Sequence, residues 1–152
     1  MKYFHTTMLC ITLLMLSSSY MSAQVERVLY QTFNLNDASD NIIINMKDNF
    51  EIIVWNHEKD VMVESTVGLK GGSMDLLKNF INEGRYLVKP QLDSTTTTMK
   101  MAFGKEKRET LKLNGRVCEE NVYHRIYIPS EYTRTSDTTY SRKIEPILVT
   151  KN

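Results

Sequence analysis

Apolar side chains recur at every second position through much of this chain. Over 61–69, Val61, Val63, Val67 and Leu69 fall on one side, while Glu64 and Thr66 fall on the other. That alternation is the pattern of a half-buried antiparallel strand. Similar runs predict strands at 28–33, 41–46 and 50–55, the last two joined as a hairpin through Lys47-Asp48-Asn49. Further strands are expected at 85–89, where Pro90 would stop it, and at 95–103, with Thr97, Met99, Met101 and Phe103 on one side and a start left open, since Ser94–Thr98 reads equally as a polar edge or an exposed loop. Thr110–Leu113 runs into Asn114-Gly115, a pair that accepts positive φ and so signals a hairpin, and alternation resumes over 121–128 before Pro129.

The period changes once. Leu76, Leu77, Phe80 and Ile81 are spaced for one side of a helix over 74–83. Ser73 is the expected N-cap, Asp75 a favourable charge in the first turn, and Gly84 the left-handed C-terminal stop. So short a helix is marginal alone and must lay its stripe on a sheet. The expected fold class is therefore mainly β, an antiparallel sandwich-like domain with one short helix. Residues 24–132 would form the domain. Residues 133–152 would form a polar C-terminal tail, mobile over 133–143, with an edge strand at 144–149.

The first 23 residues stand apart. Lys2 gives a basic start, Met8–Leu16 an apolar core, and Met21-Ser22-Ala23 a small-residue exit, the three parts of a secretory signal peptide cleaved after Ala23. The apolar core is too short to span a bilayer. The absence of a lipid-attachment cysteine after it points to a periplasmic or secreted product rather than a lipid-anchored one. Lys2 is the only charge lost with this segment. The 19 basic residues thus fall level with the 18 acidic ones, and the mature chain is neutral. A neutral chain lacks the basic footprint of nucleic-acid binding and the polybasic cluster that recognises anionic lipid. Cys10 leaves with the signal, so Cys118 is expected as a buried free thiol and the fold must hold without an internal disulfide.

Candidate chemistry is sparse. His57, Glu58 and Asp60 match no metal-ligand spacing and read as a solvated turn. Gly68–Ser73 lacks the glycine spacing and Lys-Ser/Thr ending of a phosphate cradle. No catalytic, cofactor-binding or metal-ligating residues are assigned. The candidate ligand contacts are the aromatics Trp55, Tyr123 and Tyr127, which can stack on sugar rings or pack within the sheet.

Several strand sequences carry a family resemblance. Phe33-Asn34-Leu35, Ile42-Ile43-Ile44-Asn45, Phe50-Glu51-Ile52-Ile53-Val54-Trp55-Asn56, Asp60-Val61-Met62-Val63-Glu64 and Ile126-Tyr127-Ile128-Pro129 follow in order. This resembles the N-terminal part of the adhesin-like domains of exported Gram-negative envelope proteins, over about residues 28 to 132. The resemblance implies a non-enzymatic envelope or surface interaction protein whose partner is an envelope or surface protein or a glycan. It carries no catalytic residues. The family continues past the Ile-x-Val-Pro strand into repeated strands, so this chain is either a minimal member or the start of a truncated β-solenoid. Two alternatives remain open at this point: an exported hydrolase acting on glycans or peptides through His124, Cys118 or Glu119, and a structural fragment without its own ligand.

Overall fold

The computed structural model describes residues 24–35, 39–56, 59–93, 95–103 and 108–143. The proposed signal segment, His57, Glu58 and the expected strand at 144–149 lie outside the described residues. Among the described residues eleven strands and one helix follow in the order β1 (Gln24–Asn34), β2 (Asn41–Asn45), β3 (Asn49–Trp55), β4 (Asp60–Lys70), α1 (Met74–Asn82), β5 (Val88–Asp93), β6 (Thr98–Phe103), β7 (Lys112–Leu113), β8 (Arg116–Val117), β9 (Glu119–Pro129), β10 (Tyr132–Arg134) and β11 (Thr139–Arg142). They form a first sheet in the order β1-β4-β9-β3, a second in the order β10-β11-β2-β6-β5, and a small β7–β8 hairpin. The fold is mainly β, sandwich-like, with one short helix, as the alternation predicts. Most pairings are antiparallel, while β2–β6 and β3–β9 are parallel.

The apolar faces of the two sheets meet in a core that includes Ile42, Ile44, Val61, Val63, Met101 and Ile126. A second cluster joins Val67, Leu69 and Val122 of the first sheet to Leu77, Tyr86, Leu111 and Cys118. The helix belongs to this second cluster. The Ser73 side chain accepts from Leu76 N at 3.2 Å, which satisfies one of the otherwise unpaired first-turn donors. At the other end Gly84, at φ 71°, donates to Ile81 O while Arg85 N donates to Phe80 O. Those two bonds are a Schellman closure, and Leu76, Leu77, Phe80 and Ile81 face the cluster.

Three expectations are corrected. The segments 41–46 and 50–55 do not form a hairpin, because the chain crosses between the sheets at 46–48. β2 pairs with β6 and β11, and β3 pairs with β9. Met46 packs against the core and Asp48 pairs with Arg108, so the link is an anchored crossover and not a tight hairpin turn. Turn residues indicate that a chain bends, but not towards which sheet. Pro90 does not end a strand at 85–89 either: β5 runs through it, while Arg85 and Tyr86 sit in the turn after the helix. An edge strand tolerates proline, and β5 lies at the edge of its sheet, beside β6.

The strand at 95–103 takes the loop alternative at its start. Thr97 adopts φ 48° in a turn whose preceding amides, Thr95 N and Thr96 N, donate to Asp93 Oδ1, and β6 begins at Thr98. Finally, residues 133–143 are not a mobile tail. They supply most of β10 and all of β11, and β11 lies between β10 and β2 inside the second sheet. Tyr132 and Tyr140 fill the core, and the intervening Ser and Thr residues occupy the outward positions and the connecting turn.

Candidate functional site: an aromatic sheet face

Strand parity divides the first sheet into two faces. Phe50 and Ile52 of β3 pack into the core, so Glu51, Ile53 and Trp55 face outward. Register then aligns the outward rows. Tyr30, Glu64, Arg125 and Glu51 form one cross-strand row, Thr32, Met62, Tyr127 and Ile53 the next, and Val28, Thr66, Tyr123 and Asn49 the row on the other side. The three sequence candidates Trp55, Tyr123 and Tyr127 therefore share one face.

Trp55 and Tyr127 have ring centroids 5.4 Å apart, inclined at 46°, within the range of favourable aromatic pairs. The indole Nε1 donates to Asp60 O at 3.2 Å, which fixes the ring at the end of β3. Between the aromatics, Arg125 bridges two carboxylates, donating from Nε to Glu51 Oε1 at 2.8 Å and from Nη1 to Glu64 Oε1 at 3.0 Å. These two bonds raise the pKa of Arg125 above its ordinary value. Partial loss of solvent around the phenolic oxygen, followed by the negative charge of Glu51 for Tyr123 and Glu64 for Tyr127, raises both phenols, so each stays a neutral hydrogen-bonding group. Tyr30, which the sequence offered only as a strand residue, is the most open of the set at 64% exposed. Its signal in the sequence was its even position in an amphipathic strand, legible only once the inward set was known.

Among the described residues no helix or strand is layered over this face, since α1 packs on the opposite side against Val25 and Leu29. The outward face of the second sheet differs in kind. It presents residues such as Asn41, Lys89, Gln91, Thr98, Lys100 and Thr139, and no aromatic among the described residues.

The residues considered for hydrolysis are not brought together. Cys118 is buried in the second cluster with Sγ 3.3 Å from Gly71 O, and Glu119 is an exposed partner of Lys70. His124 is fully buried and takes part in a set the sequence did not reveal. Its Nδ1 lies 2.8 Å from Ser65 Oγ, and its Nε2 faces Asp48 Oδ2 at 3.5 Å, with Arg108 bonded to the other oxygen of Asp48. Serine, histidine and aspartate in line evoke nucleophilic catalysis. Ser65 and His124 are both 0% exposed, however, so the hydroxyl has no path to a substrate in this conformation. The set acts as a polar layer between the two apolar clusters. Burial opposes charge on Asp48, but His124 and Arg108 hold its pKa below the ordinary value.

A groove of about 490 Å³ opens beside the helix end, lined in part by Phe80, Glu83, Arg85, Arg108 and Lys112. Its main cation is already committed. Arg85 makes a two-pronged pair with Glu120, at 2.9 and 2.8 Å, and stacks 5.2 Å above the Phe80 ring. No group of three His, Cys, Asp or Glu side chains is placed to hold a metal ion among the described residues. No helix among them is long and apolar enough to cross a membrane. No family model, curated protein or solved structure matches the chain.

Proposed function

We propose that the protein is an exported, non-enzymatic, adhesin-like interaction protein of the cell envelope or surface. It is periplasmic or secreted, not lipid-anchored, and engages an envelope protein, a surface protein or a glycan through the outward face of the β1-β4-β9-β3 sheet. The observation that carries this reading is the gathering of Trp55, Tyr123 and Tyr127, with Tyr30, on one face over which no described helix or strand is layered, while the outward face of the other sheet carries no aromatic among the described residues. Exposed aromatic clusters are characteristic of interaction surfaces, because a ring contributes large contact area at low conformational-entropy cost. The signal-like residues 1–23 and the strand sequences that resemble those of envelope adhesin-like domains support the compartment and the class.

The test is a pull-down and array screen with the mature protein against envelope fractions, surface proteins and glycans. Tyr30→Ala/Tyr123→Ala serves as the face-disabled control. A partner retained by the wild type and lost by the double variant is the expected result. If the wild type retains nothing, or the double variant retains the same partner equally well, the reading is wrong. Fractionation of the native host with an antibody to the chain tests export independently.

A further inference from the structure

We infer that the partner of this face is cationic, a lysine- or arginine-rich segment of a protein; the inference rests on the interaction reading above and adds the partner's chemistry. The outward positions of the first sheet carry five carboxylates (Glu26, Glu51, Asp60, Glu64 and Glu119) against two cations, Lys70 and Arg125. Both cations already pair with carboxylates of the same face, Lys70 with Glu119 at 3.4 Å and Arg125 with Glu51 and Glu64 at 2.8 and 3.0 Å. The face thus keeps a surplus of negative charge on a chain that is neutral once Lys2 is set aside. The outward face of the second sheet has no such surplus, with Lys89 and Lys100 against Asp93.

The aromatics point the same way. A ring presents negative electrostatic potential at its face, so an ammonium or guanidinium group is drawn to the exposed Tyr30 and to the half-buried Tyr123, Tyr127 and Trp55. Carboxylates placed among the rings add long-range attraction for the same charge and repel nucleic acid and acidic lipid. A neutral glycan would use the stacking surface and leave the carboxylate surplus without a role. Charge complementarity therefore selects a basic polypeptide over the other classes.

The experiment uses the mature protein and three probes: a lysine decapeptide, a glutamate decapeptide and a neutral β-linked oligosaccharide. Trp55 is the single tryptophan of the chain, so its emission reports on this face alone. Titrations are run at low and at near-physiological salt, with calorimetry as the second readout. The expected result is that the lysine peptide alone shifts Trp55 emission and binds less tightly as salt rises. Tyr30→Ala leaves the charge unchanged and should weaken binding roughly two- to five-fold. Glu26→Gln should weaken it as well, and circular dichroism should show both variants folded.

Lysine-peptide binding that ignores Tyr30→Ala would be charge attraction without the aromatic face, and would overturn the inference. Binding of the oligosaccharide in place of the lysine peptide, with loss in Tyr30→Ala, would also overturn the cationic partner while leaving the interaction reading intact. Silence with all three probes overturns it too, and the screen above then decides the broader reading separately.

Discussion

At the scale of single residues, polar side chains enclosed by the fold matter most for stability. Ser65 and His124 are cross-strand partners on the inward faces of β4 and β9, between Val63 and Ile126 on one side and Val67 and Val122 on the other. A buried polar pair of this kind is stable only while both members are satisfied. Ser65→Ala removes the hydroxyl from His124 Nδ1 and should cost about 1–3 kcal/mol of unfolding free energy in denaturant titrations. Tyr30→Ala, on the outward face, should stay within about 0.5 kcal/mol of wild type in the same assay. Glu120 gives the molecule an acid limit. Burial alone would raise its pKa, but hydrogen bonds from Arg85 and Tyr86 hold it below the ordinary 4.5. A carboxyl whose folded pKa is depressed contributes stability that is full above its unfolded value and fades as pH falls through the folded one. Melting temperature should therefore drop below about pH 4.5. Glu120→Gln should start less stable at neutral pH and show a shallower acid limb. An acid limb of equal depth in the variant would mean that other carboxyls carry the effect.

At the scale of elements, local signals reached as far as local physics does. The helix was legible because its cap residues, first-turn acid, apolar stripe and terminal glycine all agree within a dozen residues. The Asn114-Gly115 turn was legible for the same reason, with φ of 51° and 77° at the two positions. A Cβ at Gly115 meets nothing within 4 Å, so Gly115→Ala tests backbone strain alone. It should destabilise by about 1–2 kcal/mol, read from the denaturation midpoint. Pairing was not legible, because it is decided by partners far along the chain. Alternation placed Ser65 and His124 on inward faces, but nothing nearby says that β4 lies beside β9 and brings them together. The same gap explains the mistaken hairpin at 41–55, where each strand has an inward face that a hairpin or two opposed sheets would equally bury. The candidate aromatics Trp55, Tyr123 and Tyr127 were named singly, and only the β3–β9, β4–β9 and β1–β4 registers together show that they form one surface with Tyr30.

At the scale of the whole molecule, the position of β11 changes where the domain ends. Composition places a boundary near residue 132, since the following stretch is rich in Ser and Thr. β11 nonetheless lies between β10 and β2, and Tyr140 is buried in the same core as Ile42 and Ile44. The Arg142 and Lys143 amides extend the connection, donating to Asp40 O and Glu131 O at 2.8 Å each. Removing residues 133–143 would strip β2 of one of its two neighbours, open the core beside Tyr132 and leave the backbone groups of β2 that now bond β11 without partners. Loss of one large buried side chain alone costs about 3–5 kcal/mol, comparable with the whole stability of a small domain. A chain comprising residues 24–132 should therefore show no cooperative thermal transition and poor amide dispersion by NMR. One comprising residues 24–143 should melt cooperatively. If the shorter chain melts as sharply and at the same temperature, β11 is an accessory strand and the sandwich is complete without it.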